Sequence, residues 1–217
     1  FLQAPARVMA DDPNYVEPFA IEEAHKLDPA RHPFYEHGEA AFWVALDDAD
    51  RPVGRISAQM NLAHQALHGA RDGHFGCVAA IDDAQVWQAL LAAAEGWLKA
   101  KGADCAIGPA SLSINEEIGL LVDGFDAPPM LLMGHDPPWA GPQLEAAGYG
   151  KAQDLIAYAY DPSNGAPKRL SAFAAKFREL PGARVRPIDR GRIDADLAII
   201  LDIFNDSWSS NWGYVPM

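Results

Sequence analysis

His74-Phe-Gly-Cys-Val-Ala-Ala-Ile-Asp-Asp-Ala-Gln-Val-Trp-Gln-Ala-Leu-Leu-Ala-Ala-Ala-Glu-Gly-Trp-Leu-Lys-Ala-Lys-Gly-Ala-Asp-Cys-Ala-Ile-Gly-Pro109 decides how the rest of the chain is organised. "HFGCVAAI" is a short apolar run with strand composition, and Val86, Leu90, Ala93, Ala94 and Trp97 then recur at helical spacing. Asp82 or Asp83 is placed to cap that helix and Gly102 to end it. "DCAIGP" supplies a second apolar strand, and a helical crossover makes the two strands parallel and right-handed. The stretch is therefore a βαβ unit.

Upstream, "EAAFWVALDDADRPVGRISAQMN" carries two apolar runs around a turn-rich "DDADRP", the pattern of a β-hairpin. Arg55 and Gln59 alternate with Ile56 and Ala58, as on a strand with one solvated face. Short helices are expected over Phe1 to about Ala10 and over Ile21 to Leu27. Downstream come a short helix, a turn at Gly148 and a strand near Leu155 to Tyr160. After "SNGAP" a helix is expected over Leu170 to Leu180, then a short strand in "ARVRPID" and a helix from about Asp194. The alternation predicts the α/β class (α+β in the broad sense), with a mixed central sheet flanked by helices. The expected organisation is a domain over 1–162, a linker and helix over 163–183, and the opening of a second similar domain over 184–217.

The 217 residues are 49% hydrophobic and carry a formal charge of −13, which suits a folded chain and not a nucleic-acid surface. The apolar runs are too short to span a bilayer, and no leader pattern is visible. A cytoplasmic protein with no membrane partner is expected, with Cys77 and Cys105 as reduced, buried residues in strands.

The order of hairpin, strand, long helix, parallel strand, short helix and strand resembles the GNAT-type acyl-CoA N-acyltransferase superfamily, over about Phe1 to Pro162. "LEAAGYGKAQ" is similar to that family's helix-turn-strand corner, and "GRISAQM" looks like its third strand. "LSINEEIGLLVDGFDAPPMLLMGHDPPW" and "IFNDSWSSNWGYVP" resemble a bacterial group with two such domains in tandem. The resemblance implies transfer of an acyl group from acetyl-CoA or another acyl-CoA to a small-molecule amine. It also implies a partner domain of the same kind in the same chain, and a homodimer is a further option.

In that family the diphosphate of coenzyme A sits on the backbone amides that start the long helix, a site favoured by the helix dipole. The family's two glycines align with Gln85 and Trp87, and its arginine falls at or beside Asp82. Carboxylates beside a diphosphate cost roughly 1–4 kcal/mol each, and a Trp excludes it sterically. Degenerate coenzyme binding in this domain is the expectation, with the coenzyme-binding turn in the second domain. The family's general-acid Tyr maps onto Leu144, which has no proton to give. A bulge over Cys77, Val78 and Ala79 would turn backbone amides toward the thioester carbonyl.

Of the remaining residues, "SINEEIGLLVDGFDAPPMLLMGHDPP" follows the fourth strand, where ligands of open α/β sheets bind. Glu116 is the candidate base, with His135 as an alternative, and Asn115, Glu117, Phe125, Met130 and His135 are candidate pocket residues. The plainer alternative is a long loop held by its own turns and stiffened by Pro128 and Pro129. His64 and His68 lie four apart, but no third metal ligand stands at a recognisable spacing, so surface histidines and no metal are expected. Two rival functions remain: a non-catalytic module for a small ligand or for dimerisation, and a metal-dependent hydrolase of a phosphorylated small molecule.

Overall fold

A computed structural model describes the backbone of residues 1–217 and every side chain except that of Pro162. It has the α/β architecture, with a four-stranded mixed sheet in the order β1-β2-β3-β4. The strands are β1 (Gly38–Leu46), β2 (Pro52–Asn61), β3 (Asp72–Ala80) and β4 (Cys105–Ile107). β1 and β2 form the expected antiparallel hairpin, β2 pairs antiparallel with β3, and β3 pairs parallel with β4. The helices of this part are α1 (Ala4–Val8), α2 (Ala20–Lys26), α3 (Leu62–His68), α4 (Ala84–Ala100) and α5 (Ala140–Ala146).

The core lies between one face of the sheet and α4. Ile56, Ala58 and Met60 of β2 pack with Phe75, Val78 and Ala80 of β3 against Trp87, Leu90, Leu91, Ala94 and Leu98. Gly54 belongs to this seam, since a Cβ there would lie 2.8 Å from both Ala80 and Leu90. Asp83 caps α4 by accepting from the N–H groups of Gln85 and Val86, and Gly102 takes a positive φ of 87° just past its end.

The opposite face of β2 differs from the expectation of a solvated strand. Ser57 and Gln59 are fully buried there. They satisfy each other, with Ser57 Oγ donating to Gln59 Oε1, and the Gln59 amide donates to the carbonyl of Ala110. Polar groups tolerate burial when paired in this way.

By residue contacts the chain divides into Phe1–Gln153 with Ser209–Met217, and Asp154–Trp208. The segment expected to open a second domain at 184–217 is thus shared between the two units. In the second unit α6 (Lys168–Arg178) and α7 (Ile193–Trp208) are helical, as expected. The strands expected near Leu155 to Tyr160 and in "ARVRPID" are irregular backbone instead. Strand composition alone does not stabilise a strand, which needs a neighbouring edge to complete its hydrogen bonds. Within this unit Arg186 makes a two-pronged contact with Asp196, at 2.6 and 2.5 Å, that ties the irregular stretch to α7. The guanidinium keeps the Asp196 carboxyl well below the usual carboxylate range. Among the described residues no helix is long and apolar enough to cross a membrane.

Candidate functional site

The sheet opens at β3. Its hydrogen bonds to β4 stop at His74, and beyond them Phe75 accepts from the N–H of Ala110. Gly76 allows this approach, because a Cβ there would collide with the Ala110 carbonyl. Next comes a bulge: Arg55 pairs with Ala79 and Ser57 with Gly76, so Cys77 and Val78 oppose Ile56 alone. Cys77 takes a left-handed φ of 47°, and its N–H turns to donate to Ser111 Oγ at 3.1 Å. The bulge is where the sequence placed it, but the Cys77 amide is already engaged.

A cavity of about 110 Å³ lies against this bulge. Cys77, Val78 and Ala79 line it from β3, Arg55 from β2 and Glu23 from α2. Tyr15, Val16 and Pro18 close one side, and Glu117 with the loop from Pro129 to Pro137 closes another. That volume is well below the roughly 300–1,000 Å³ of a drug-sized pocket, so it fits only a small group or the end of a larger molecule.

The cavity wall is charged. Arg55 approaches Glu23 at 3.8 Å, stacks 4.8 Å over the Phe1 ring and leaves its Nε buried without a hydrogen-bond partner. Lys26 donates to Glu23 at 3.4 Å. A Cβ on Gly134 would lie 3.3 Å from Glu117 Oε1 and 3.7 Å from Asp136 Oδ2, so glycine lets the loop settle over both carboxylates. Asp136 accepts from the N–H of Leu121 at 2.9 Å. Burial, reinforced by the nearby Glu117, nevertheless pushes its carboxyl up to about 7. His135 is almost fully enclosed and holds Asp12 at 3.0 Å.

Of the residues singled out in the sequence, Cys77, Val78, Ala79, Glu117 and His135 meet at this cavity. Glu116, the expected base, points elsewhere: its Oε1 lies 3.4 Å from His32 Nε2. Glu116 lies in a turn, its N–H donating to the carbonyl of Ser113, whereas the carbonyl of Glu117 accepts from the N–H of Ser111 beside the bridge of Ala110 with Ile118, and the two side chains go to different partners. Asn115 donates to the carbonyl of Val215, and Phe125 offers only its carbonyl, to Asn14. Met130 is 74% exposed beside the cavity and outside its lining. Sequence reasoning missed Asp136, Glu23 and Tyr15. Their loops join only in the folded chain, and no spacing announces them.

Elsewhere, Asp83 occupies the first amides of α4, and Asp82 accepts from Gln143 at 2.8 Å. Trp87, which the resemblance set against a glycine, is 1% exposed and donates its indole N–H to the carbonyl of Ile81. Leu144 is buried in the core, and Tyr149 packs on Phe75 while donating to Glu95. Of the histidines expected at the surface, His68 is exposed but His64 is buried, with ring centroids 4.3 Å from His68 and 4.8 Å from His74. Among the described residues no group is arranged to hold a metal ion. Cys77 is buried and Cys105 is exposed, against the expectation that both are covered, and both are free thiols.

The chain is 48% identical over 218 residues to a protein from Caulobacter vibrioides (strain NA1000 / CB15N) named "Bacterial ceramide synthase", an alignment covering all of this chain and 56% of that protein. It is 40% identical over 220 residues to "Protein YghO" of Escherichia coli (strain K12), again over all of this chain and 55% of the other. The chain spans about half the length of these curated relatives. No family model matches it, and no solved structure does. The expected function is thereby corrected. A relative this similar along the whole chain is named for synthesis of a particular lipid, not for GNAT-type transfer to a small-molecule amine.

Proposed function

We propose that this chain is part of a protein that makes a ceramide-type lipid, and that the cavity beside the β3 bulge receives the polar, reacting end of the long-chain substrate. The 48% identity to the ceramide synthase along all of the chain carries this reading. A ceramide is an amide between a fatty acyl group and a long-chain amino alcohol, so the acceptor is an amphiphile. A cavity of about 110 Å³ suits its head and not its chain.

The charges at the cavity support the same assignment. An amino alcohol arrives as an ammonium ion, and a carboxylate such as Glu117 attracts it. The nitrogen must lose a proton before it attacks the acyl carbonyl. A base that titrates near neutrality does this best, and Asp136, raised to about 7, has that property. As the C–N bond forms, the bond to the acyl donor's leaving group breaks and that group departs. The donor in this proposal is a thioester such as acyl-CoA, whose thiolate leaves without further activation. Its diphosphate does not find free amides at α4, where Asp83 already accepts from them.

The test is incubation of the full-length protein with a long-chain amino alcohol and an isotope-labelled fatty acyl-CoA, with the lipid product read by mass spectrometry. Labelled ceramide is expected, and Glu117→Gln and Asp136→Asn each lower its rate by about 10²-fold or more. Glu116→Gln, facing His32 instead, leaves the rate near that of the parent. No labelled ceramide from the intact protein would end the proposal.

A further inference from the structure

We propose that the exposed apolar rim of this cavity docks on the surface of a zwitterionic lipid bilayer, delivering an amphiphile from the bilayer to the cavity without passage through water. The purpose of docking rests on the lipid reading above; the docking itself is measured separately.

The rim is built by two segments that each contribute residues to the cavity lining. Pro129 and Met133 line the cavity, and between them Met130, Leu131 and Leu132 are 74%, 89% and 64% exposed. Val16 and Pro18 line the other side, and next to them Phe19 and Ile21 are 72% and 68% exposed. Scattered surface leucines need no explanation, but four consecutive apolar side chains held outward do. Here they converge with a second apolar cluster on the same opening. A protein partner seated there would seal the mouth of the cavity. A bilayer would instead present its own amphiphiles to it.

Charge selects the kind of surface. The whole stretch 115–147 contains no Lys or Arg, and Asp123 and Asp126 stand just before the rim. Anionic lipids are drawn to basic clusters, and none is present in this stretch. Insertion of apolar side chains at the interface remains as the attractive force, and it needs no negative headgroup. Docking also needs no transmembrane segment, so the expectation of no membrane partner, which rested on the lack of a span, does not bear on it.

The test is flotation of the full-length protein with phosphatidylcholine vesicles and with vesicles in which a third of the lipid is phosphatidylglycerol. Co-flotation with the zwitterionic vesicles is expected, with no gain from the anionic lipid. The double variant Phe19→Asp with Leu131→Asp should bind vesicles at least tenfold more weakly. It should keep the parent's melting temperature and its turnover of a short-chain, water-soluble amino alcohol. Absence of flotation, tighter binding to anionic vesicles, or flotation unchanged in the double variant would each overturn the proposal. So would protection of the rim from surface labelling without lipid, which means that another part of the protein or a second copy covers it. Flotation without amide formation from any acceptor would leave docking standing and remove the ceramide reading; short-chain turnover without flotation would do the reverse.

Discussion

His135 Nε2 lies 3.0 Å from Asp12 Oδ2, although 123 residues separate them in the chain. Asp12 also accepts from the N–H of Asn14 at 2.8 Å, and the Asn14 amide donates to the carbonyl of Phe125 at 3.0 Å. One short N-terminal turn therefore ties down both ends of the loop that forms the cavity's far wall. The Asn14 N–H, and after it His135, hold the Asp12 carboxyl below the usual carboxylate range. Asp12→Ala removes both contacts at once. A net cost of about 1–2 kcal/mol is expected, a fall of roughly 2–8 °C in melting temperature by calorimetry. Amide exchange should quicken across the loop from Phe125 to Asp136 and stay unchanged in α4.

Asp136 gives a second prediction with a defined sign. Its carboxyl titrates near 7 in the fold against 3.8 as a free group, because burial disfavours the charge and Glu117 adds to the effect. A raised carboxyl binds its proton more tightly in the folded state. Its stabilising contribution is full below about 3.8 and is lost as pH rises through about 7. Asp136→Asn, a permanent mimic of the protonated form, should therefore raise the melting temperature at pH 8. The gain should shrink toward pH 4. Parallel melting curves for parent and variant across that range would show that the carboxyl does not titrate in this way.

The contrast between Glu116 and Glu117 marks how far the sequence could be read. The hairpin, β3, α4 and β4 are legible because each is an apolar run or an amphipathic stripe bounded by turn or cap residues. The loop after β4 was recognisable as a candidate by position and length, and part of it lines the cavity. Which of its two adjacent glutamates faces the cavity was not, because that depends on pairing of Ala110 with Ile118 and of Ser111 with Glu117. Gln59 reads as solvent-facing for the same reason, and it is buried with Ser57. Their burial depends on a carbonyl at Ala110, 51 residues beyond Gln59, that no local pattern reveals. "LIAYAY" has strand composition, yet its backbone is irregular, because composition alone does not form a strand. Local patterns specify elements, while the cavity is made where loops distant in sequence meet.

The cluster of His64, His68 and His74 predicts an acid limb in the stability curve. Burial pushes His74 down to about 4, and the neighbouring rings of His64 and His68 add to the effect. His64 is also lowered by burial, with Asp72 partly opposing. The Nδ1 atoms of His64 and His74 are buried without hydrogen-bond partners, so no acceptor waits for an added proton. Below about 6.5 the unfolded chain takes up protons that the folded chain refuses, and stability falls as pH drops toward about 4. His74→Phe should flatten that fall. The urea midpoint, measured at pH 7 and pH 4.5, should drop less for the variant than for the parent.

Cys77 tests whether the bulge itself is needed. A side chain at φ 47° costs roughly 1–2 kcal/mol relative to the right-handed region, and glycine escapes that cost. Cys77→Gly relieves the strain but leaves a small gap where a buried thiol was, so the two effects should nearly cancel. Cys77→Val acts in the opposite direction. Its branched Cβ is poorly tolerated at positive φ, and the backbone would relax toward regular pairing with Ile56. That relaxation would withdraw the Cys77 N–H from Ser111 and shift Val78 and Ala79 at the cavity wall. The expected result is a melting temperature close to the parent's for Cys77→Gly, and lower for Cys77→Val by about 2–8 °C, the equivalent of roughly 1–2 kcal/mol. Amide formation by the full-length protein should survive in the glycine variant and fall at least tenfold in the valine variant. If valine is accepted with stability and turnover intact, the left-handed bulge is a by-product of strand pairing and does not shape the site.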